Sequence, residues 1–355
     1  MSSLNKVVIV GPLPPPAGGM ANQTRQLAAF LKSEQLEVDI VQVNADYRPS
    51  WVEKIPVLRA FFRLFFYFIA LKKQCQSADV IHIMANSGWS WHLFAAPAVF
   101  VARQLNKPIV INYRGGYARD FFNQSWSRVE KTINKAQAVV VPSIFLQEVF
   151  NDFGQEAQVV PNVLDQSLFF ANDRPFNSDA PQLIVTRNLE AIYDVATAVK
   201  AFSLVIKNYP NAKLSIAGTG PELADLQKLV AQLNLGNNVT FTGRLSPKEM
   251  AALYQNADVM LNTSTVDNTP NSIIEALACG TPVISTNVGG IPKLVTHDHN
   301  ALLINTGDEQ QMAHWVNTLF EQEALRTRLV QNGLTTIEKF YWSNVWQSLK
   351  ACYDE

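Results

Sequence analysis

Twelve short runs of apolar, largely β-branched residues recur along this chain, with stretches of helical composition between them. Six lie in the first half, at 7–11, 38–43, 79–84, 108–114, 138–143 and 159–162, and six in the second, at 183–187, 214–218, 239–243, 258–263, 282–286 and 301–304. A strand with one wet face alternates apolar and polar residues; these runs are continuously apolar, which reads as burial on both faces. Strands of that kind separated by helices make parallel sheets covered on either side. The pattern predicts two α/β domains, each a doubly wound, Rossmann-like parallel sheet. A polar stretch with two prolines and no periodicity, "FFANDRPFNSDAPQ" at 169–182, marks the seam and divides the chain into domains 1–170 and 171–335. Ligands of open parallel sheets bind beyond the carboxyl ends of the strands, so two such sheets facing each other would place a substrate cleft between them.

A length of 355 residues, nearly half of them apolar, is enough for two cores of this size. The net charge of −1 conceals an asymmetry: residues 1–170 hold 16 Lys and Arg against 12 Asp and Glu, whereas 171–355 hold 13 against 18. A mildly basic first half suits an anionic partner, or is ordinary surface variation. Three cysteines, Cys75, Cys279 and Cys352, are odd in number and far apart, which argues against a disulfide framework or a zinc site and fits a reducing compartment. The opening "KVVIVGPLPPP" turns too soon for a secretory apolar segment, so the cytoplasm is the expected location.

One segment departs from the α/β rhythm. "LRAFFRLFFYFIALKK", at 58–73, is apolar nearly all round, with Arg59 and Arg63 on one side and Lys72 and Lys73 at its end. It is too short and too interrupted to span a bilayer. Aromatic residues beside basic ones suit a helix lying in a membrane interface. The competing reading is a buried helix whose arginines snorkel to solvent.

Several strand ends carry residues suited to anions. The first run empties into "GPLPPPAGGMANQTRQLAAFL", where Gly18 and Gly19 precede a helix. Helix N-terminal amides approached without side chains bind phosphate readily, although a glycine pair can also serve chain reversal alone. The segment lacks both the G-x-G-x-x-G fingerprint and the P-loop lysine, which disfavours NAD binding and ATP hydrolysis. Gly218-Thr219-Gly220 and Gly243-Arg244 follow two later strands and read as turns or as ligand contacts. Arg187, in "LIVTRN", and Arg114, in "INYRGGY", each sit at a strand end, where a guanidinium can hold a diphosphate by paired hydrogen bonds.

The block "GTGPELADLQKL…NVTFTGRLSPKEMAALYQNADVMLNTS…DNTPNSIIEALACGTPVISTNVGGIPKLV" resembles the donor domain of family 4 retaining glycosyltransferases, which adopt the GT-B fold. "PPPAGG", "ADVIHIMANSG", "VVVPS" and "VVPNVLDQSLF" agree in the first half, and the resemblance covers most of residues 6–305. "FYWSNVWQSLKACYDE", within 336–355, is similar to the terminal helix that crosses back to the first domain in that fold. The resemblance implies transfer of a sugar from a nucleoside-diphosphate sugar to a hydroxyl of a polysaccharide or lipid-linked saccharide, with the anomeric configuration retained. It implies that Glu275 accepts hydrogen bonds from the ribose, and that Asp267 and the backbone of Asn268, Thr269, Pro270 and Asn271 address the donor sugar. Gly289 and Gly290 would keep the neighbouring wall free of side chains. Arg187, Gly18 and Gly19 would serve the donor's phosphates and Arg244 would also contact the donor, with no metal, no other cofactor and no nucleic-acid partner. A lipid-linked acceptor would bring the protein to the inner face of the membrane.

Three positions depart from the family pattern. Asp267 stands where glutamate is usual, Ile192 where a lysine commonly follows the cleft arginine, and Tyr113-Arg114 where a first-domain strand often ends in histidine. Arg114 could supply the positive charge that Ile192 cannot. Of the histidines, His82 reads as a packed core residue, and His297 and His299 as turn residues rather than metal ligands. Two other functions stay open on the sequence: a nicotinamide-dependent oxidoreductase on the same sheets, and a non-catalytic sugar-nucleotide or saccharide-binding protein.

Overall fold

The computed structural model describes residues 4–15, 19–46 and 56–354, and within them the chain divides into two units. Each is built on its own six-stranded parallel sheet. The first comprises residues 1–163 and 342–355, the second residues 164–341.

The strands of the first sheet are β1 (Lys6–Gly11), β2 (Glu37–Gln42), β3 (Val80–Ala85), β4 (Ile109–Tyr113), β5 (Ala138–Val141) and β6 (Gln158–Val159), in spatial order β2-β1-β3-β4-β5-β6. Helices α1 (Gly19–Ser33), α2 (Pro56–Cys75), α3 (Ala96–Gln104), α4 (Ala118–Ile133) and α5 (Ile144–Asp152) connect them. The side chains divide by parity, as a strand demands. Val8, Val10, Ile81 and Ile83 join the core under Tyr67 and Leu71 of α2 and Val99 of α3, while Val7, Ile9, Val80 and Val110 face Leu27 and Leu31 of α1. Both sets are buried, which is why no alternation shows in the sequence.

The second sheet holds β7 (Gln182–Val185), β8 (Lys213–Ala217), β9 (Val239–Gly243), β10 (Val259–Asn262), β11 (Val283–Thr286) and β12 (Leu302–Ile304), in the order β12-β11-β10-β7-β8-β9. Its helices are α6 (Val195–Val205), α7 (Leu223–Gln232), α8 (Pro247–Gln255), α9 (Asn271–Ala278), α10 (Ile291–Leu294), α11 (Glu309–Glu321) and α12 (Glu323–Ile337). Strand order reverses between β7 and β10, whose Ile184 and Met260 lie side by side. That reversal opens a crevice at the carboxyl ends of these two strands.

The division falls ahead of the polar stretch at 169–182. Leu164 and Phe169 pack with Ile184, Tyr254 and Phe340, and the Leu164 amide bonds to the Phe340 carbonyl at 2.9 Å. The last helix, α13 (Trp342–Asp354), belongs to the first unit: Val345, Leu349, Cys352 and Tyr353 pack with Val7, Ile9 and Leu31.

Helix α2 fits neither reading of the aromatic segment alone. Tyr67, Leu71 and Cys75 are buried, whereas Phe61, Phe65, Phe68 and Ile69 form an outward stripe that is 41–63% exposed. Both faces of the helix are apolar, so only one of them is explained by the core. Among the described residues no helix is long and apolar enough to cross a membrane.

Candidate functional site

In the second unit the crevice between β7 and β10 gathers the residues singled out from the sequence. Arg187 stands two residues beyond β7, with its side chain 12% exposed. Its Nη2 pairs with Oδ2 of Asp267, its Nη1 donates to Ser272 Oγ in the first turn of α9 at 3.3 Å, and its guanidinium lies 4.2 Å over the Tyr193 ring. Its buried Nε has no hydrogen-bond partner among the described residues. The cation is thus fixed from three sides by residues on three different segments.

Asp267 lies on the loop between β10 and α9. Its Oδ1 accepts from the Asn268 amide at 2.9 Å, so each carboxylate oxygen is engaged inside the protein. Burial pushes the Asp267 carboxyl up, and Arg187 with the Asn268 amide draws it back. The loop itself is rigidly built. Asn262 Nδ2 donates to Ser285 Oγ at 2.9 Å, Ser264 Oγ to Asn262 Oδ1 at 3.0 Å, and Thr286 Oγ1 to the Ser264 carbonyl at 2.6 Å, all from buried side chains. Gly289 has φ +54°, and a Cβ there would lie 2.1 Å from the Asp267 carbonyl oxygen. Glycine at 289 therefore lets two loops touch, a stronger requirement than an open wall. The Gly290 amide then donates to that same carbonyl at 2.8 Å.

Glu275 projects from α9 and is partly covered. Burial raises its carboxyl to about 7, against the opposing pull of the Tyr254 hydroxyl and Arg187. Tyr254, on α8, bonds in turn to Thr186 Oγ1 at 2.7 Å, linking α8, α9 and the end of β7. Ahead of α9, Pro270 is the N-cap and no side chain caps the helix, while Asn268, Thr269 and Asn271 are partly buried.

The glycines after β8 serve the same scaffold. Gly218 has φ +152°, and a Cβ there would lie 2.1 Å from the Arg187 carbonyl oxygen. The loop of Gly218-Thr219-Gly220 thus packs against the backbone that carries Arg187, with the Leu189 amide donating to the Thr219 carbonyl at 3.1 Å. Arg244, just past β9, is exposed. Ile192 has an exposed side chain, and its carbonyl accepts from the Thr265 amide at 2.7 Å.

In the first unit, Gly19 opens α1, and a Cβ added to it would meet open space. Gly18 lies outside the described residues. Arg114 follows β4, held by the Ala85 carbonyl on its backbone amide at 2.9 Å. Its Nε donates to Asn112 Oδ1 at 3.0 Å and its Nη1 to Gln23 Oε1 at 3.0 Å and to Asn162 Oδ1. Burial lowers its pKa to about 10. Asn112 Nδ2 meets His82 Nε2 at 3.1 Å, and His82 Nδ1 meets the Tyr353 hydroxyl at 2.9 Å. A guanidinium offers only donors, so the Asn112 oxygen must face Arg114 and its NH2 must face His82. His82 is therefore the Nδ1–H tautomer, neutral, with burial and then Arg114 holding its pKa down to about 3.

His297 Nδ1 accepts from the Leu303 amide at 2.9 Å, and Asp298 pairs with Arg328. Among the described residues no three His, Cys, Asp or Glu side chains gather to hold a metal ion. Sequence reasoning missed Tyr193, Tyr254 and Ser272 around the second-unit cluster and Gln23, Asn112 and Asn162 around Arg114. Tyr193 alone left a local trace, as the aromatic residue six positions after Arg187.

Residues 168–336 match the family model of group 1 glycosyl transferases, and residues 17–168 that of glycosyltransferase family 4, so that together they span both units. The chain is 27% identical over 207 residues to N-acetyl-alpha-D-glucosaminyl L-malate synthase of Bacillus anthracis; that match takes in 56% of this chain and only 54% of the relative's length. It is 24% identical over 311 residues to alpha-monoglucosyldiacylglycerol synthase of Streptococcus pneumoniae, across 76% of this chain and 68% of that one. The crystal structure of Anabaena HepE in complex with UDP-glucose superposes with a TM-score of 0.74 at 19% identity, covering 98% of this chain and 100% of that one. At that identity the likeness establishes the fold, which is GT-B.

Proposed function

The chain belongs to family 4 of the glycosyltransferases, and from that premise we propose that its second unit holds a nucleoside-diphosphate sugar and that the sugar is transferred with retention of anomeric configuration. It is Arg187 that carries this reading. It is a cation fixed at the strand-order reversal of a doubly wound sheet, where ligands of such sheets bind. Breaking the sugar–phosphate bond leaves negative charge on the diphosphate, and a preorganised donor aimed at such charge is worth about 3–4 kcal/mol. With Arg187 in that role no metal is required. Glu275 receives the ribose hydroxyls on its carboxylate, and the uncapped N-terminus of α9, with Asn268, Thr269, Pro270 and Asn271, meets the sugar or its phosphates. Arg244 stands by for the nucleotide from the end of β9. In a front-face displacement the departing phosphate oxygen takes the acceptor's proton, so the site needs no separate base. HepE's complex with UDP-glucose and the α-linked products named for the two synthases speak for the same chemistry.

To Asp267 we assign a positioning part in addition to the contact with the sugar that the resemblance implied. With one oxygen on Arg187 and the other on the Asn268 amide, its carboxylate orients the arginine, and its loop backbone is what remains for the sugar.

For the acceptor we propose a saccharide presented at an anionic membrane surface. The outward stripe of α2, Phe61, Phe65, Phe68 and Ile69, runs to the exposed Lys72 and Lys73, and exposed Phe66, Phe100, Trp89 and Tyr117 lie on the same unit. Aromatic side chains at headgroup depth with lysines beside them suit such a surface.

A thermal-shift screen of nucleoside diphosphates and their sugars, followed by product analysis with the stabilising donor, tests the first reading. One donor class should raise Tm and yield an α-linked product from an α-donor; if none raises Tm, the donor assignment fails. Sedimentation with anionic vesicles tests the second. The protein should pellet with them and Phe65→Glu with Ile69→Glu should stay in solution, whereas equal partitioning of both proteins would end the membrane assignment.

A further inference from the structure

We propose that the first unit carries an oxyanion site of its own, centred on Arg114, which takes a phosphoryl or carboxylate group of a substrate. Lys6, Arg174 and Arg187 are partly buried cations that face a carboxylate, and the partly buried Arg326 faces the Leu319 carbonyl and the Phe176 ring. Arg114 faces three amide oxygens instead, those of Gln23, Asn112 and Asn162, and no carboxylate pairs with it among the described residues. Neutral acceptors orient a guanidinium and leave its charge uncompensated, an arrangement that costs stability unless an anion arrives.

The donor count points the same way. A guanidinium has five N–H groups, and Arg114 spends one from Nε and two from Nη1, leaving both on Nη2. Gln23 turns its oxygen to Arg114 and so turns its NH2 group outward. Both residues line one cavity, with Gln26, Asn112 and Pro161, and no acid lines it. The cavity offers about 20 Å³ to the centres of water-sized groups, somewhat more than the roughly 10–15 Å³ one such group needs. It has room beside Arg114 for about one oxygen-sized group.

Behind the arginine everything is neutral and buried. Asn112, His82 and Tyr353 form a hydrogen-bonded chain from Arg114 to α13, so no counter-charge comes from within. With Nε and Nη1 held in place, the two N–H groups left on Nη2 can each donate a charge-assisted hydrogen bond to an oxyanion oxygen.

The residues that line the site all belong to the first unit, and only the source of its ligand rests on the glycosyltransferase reading. Thermal shifts of the full chain against sodium phosphate, pyrophosphate and glucuronate, each compared with sodium chloride at equal ionic strength, test it. The background is Arg187→Gln with Asp267→Asn, where a neutral pair replaces the second unit's ion pair. Tm should climb saturably with at least one oxyanion. Gln23→Glu, which leaves Arg114 in place and gives it an internal carboxylate, should abolish the climb and melt no lower than its parent; Arg114→Gln should abolish it as well. A larger shift with pyrophosphate than with glucuronate assigns the site to a phosphoryl group, and the reverse assigns it to an acidic saccharide. No shift with any of the three, or a shift that survives Gln23→Glu, overturns the proposal. Protection of the unaltered chain by UDP, measured alongside, reports on the second unit, so the two readings fail separately.

Discussion

Arg187 and Arg114 each stand at the carboxyl end of a parallel strand, yet they are held in opposite ways. Arg187 is closed into an ion pair with Asp267 and stacked on Tyr193, while Arg114 rests in a cradle of amides. The first is electrically complete without a ligand, so an incoming diphosphate must compete with Asp267 for it. The second is incomplete, so an anion adds an interaction without displacing one. Two arginines that look alike in sequence thus differ in what their removal does, because only one of them has a buried charge for a partner.

The largest consequence concerns Arg187→Ala. It should cut donor turnover by roughly 100- to 1000-fold and strand Asp267, costing about 3–5 kcal/mol in urea unfolding. Adding Asp267→Asn should restore most of the stability and none of the turnover. If Arg187→Ala proves no more harmful to turnover and folding than Arg114→Ala, the contrast between the two sites is wrong.

Glu275→Gln comes next. Losing the carboxylate should weaken UDP binding roughly 10- to 100-fold. Its effect on folding runs the other way. Burial holds the Glu275 carboxyl near 7 in the folded protein, above its ordinary range, so between those values the folded chain binds more protons than the unfolded one. Stability from this residue is present at low pH and falls as pH rises toward 7, by an amount up to about 3 kcal/mol. Glu275→Gln should therefore melt higher than the parent at pH 8 and lose that slope, while UDP affinity of the parent should strengthen from pH 6 to 8. A parent whose UDP affinity is flat over that range would show that the carboxylate does not receive the ribose.

The smallest effect belongs to Arg114→Ala. It strands amide oxygens rather than a charge, so unfolding should lose about 1–3 kcal/mol, and adding Gln23→Ala should change little further. A loss as large as that of Arg187→Ala would mean that an unseen negative charge compensates Arg114.

The strands were legible because a parallel strand buried on both faces is written as one unbroken apolar run; all twelve fall within a few residues of the expected spans. Arg187 was legible because it stands at a strand end, and Asp267 and Glu275 because the block that carries the family resemblance contains them. Their partners were not. Tyr254 meets Thr186 across 68 residues of chain, and Gln23 meets Arg114 across 91, distances at which no local pattern survives. The pairing of Asp267 with Arg187 likewise depends on how two loops lie in space, so no local pattern announced it. The seam shifted for a related reason: polarity and prolines mark where a chain leaves a surface, whereas Leu164 and Phe169 are anchored by contacts with Tyr254 and Phe340.

Helix α13 completes the first unit's core, with Leu349 and Cys352 beside Val7 and Ile9 and with Tyr353 closing the buried chain to His82. During synthesis, domains generally fold in the order in which they emerge. Here the earliest-made sheet waits, with one apolar flank uncovered, until every residue of the later-made unit has left the ribosome. A stall or frameshift late in the message would therefore leave the fold that was begun first without one of its covering helices.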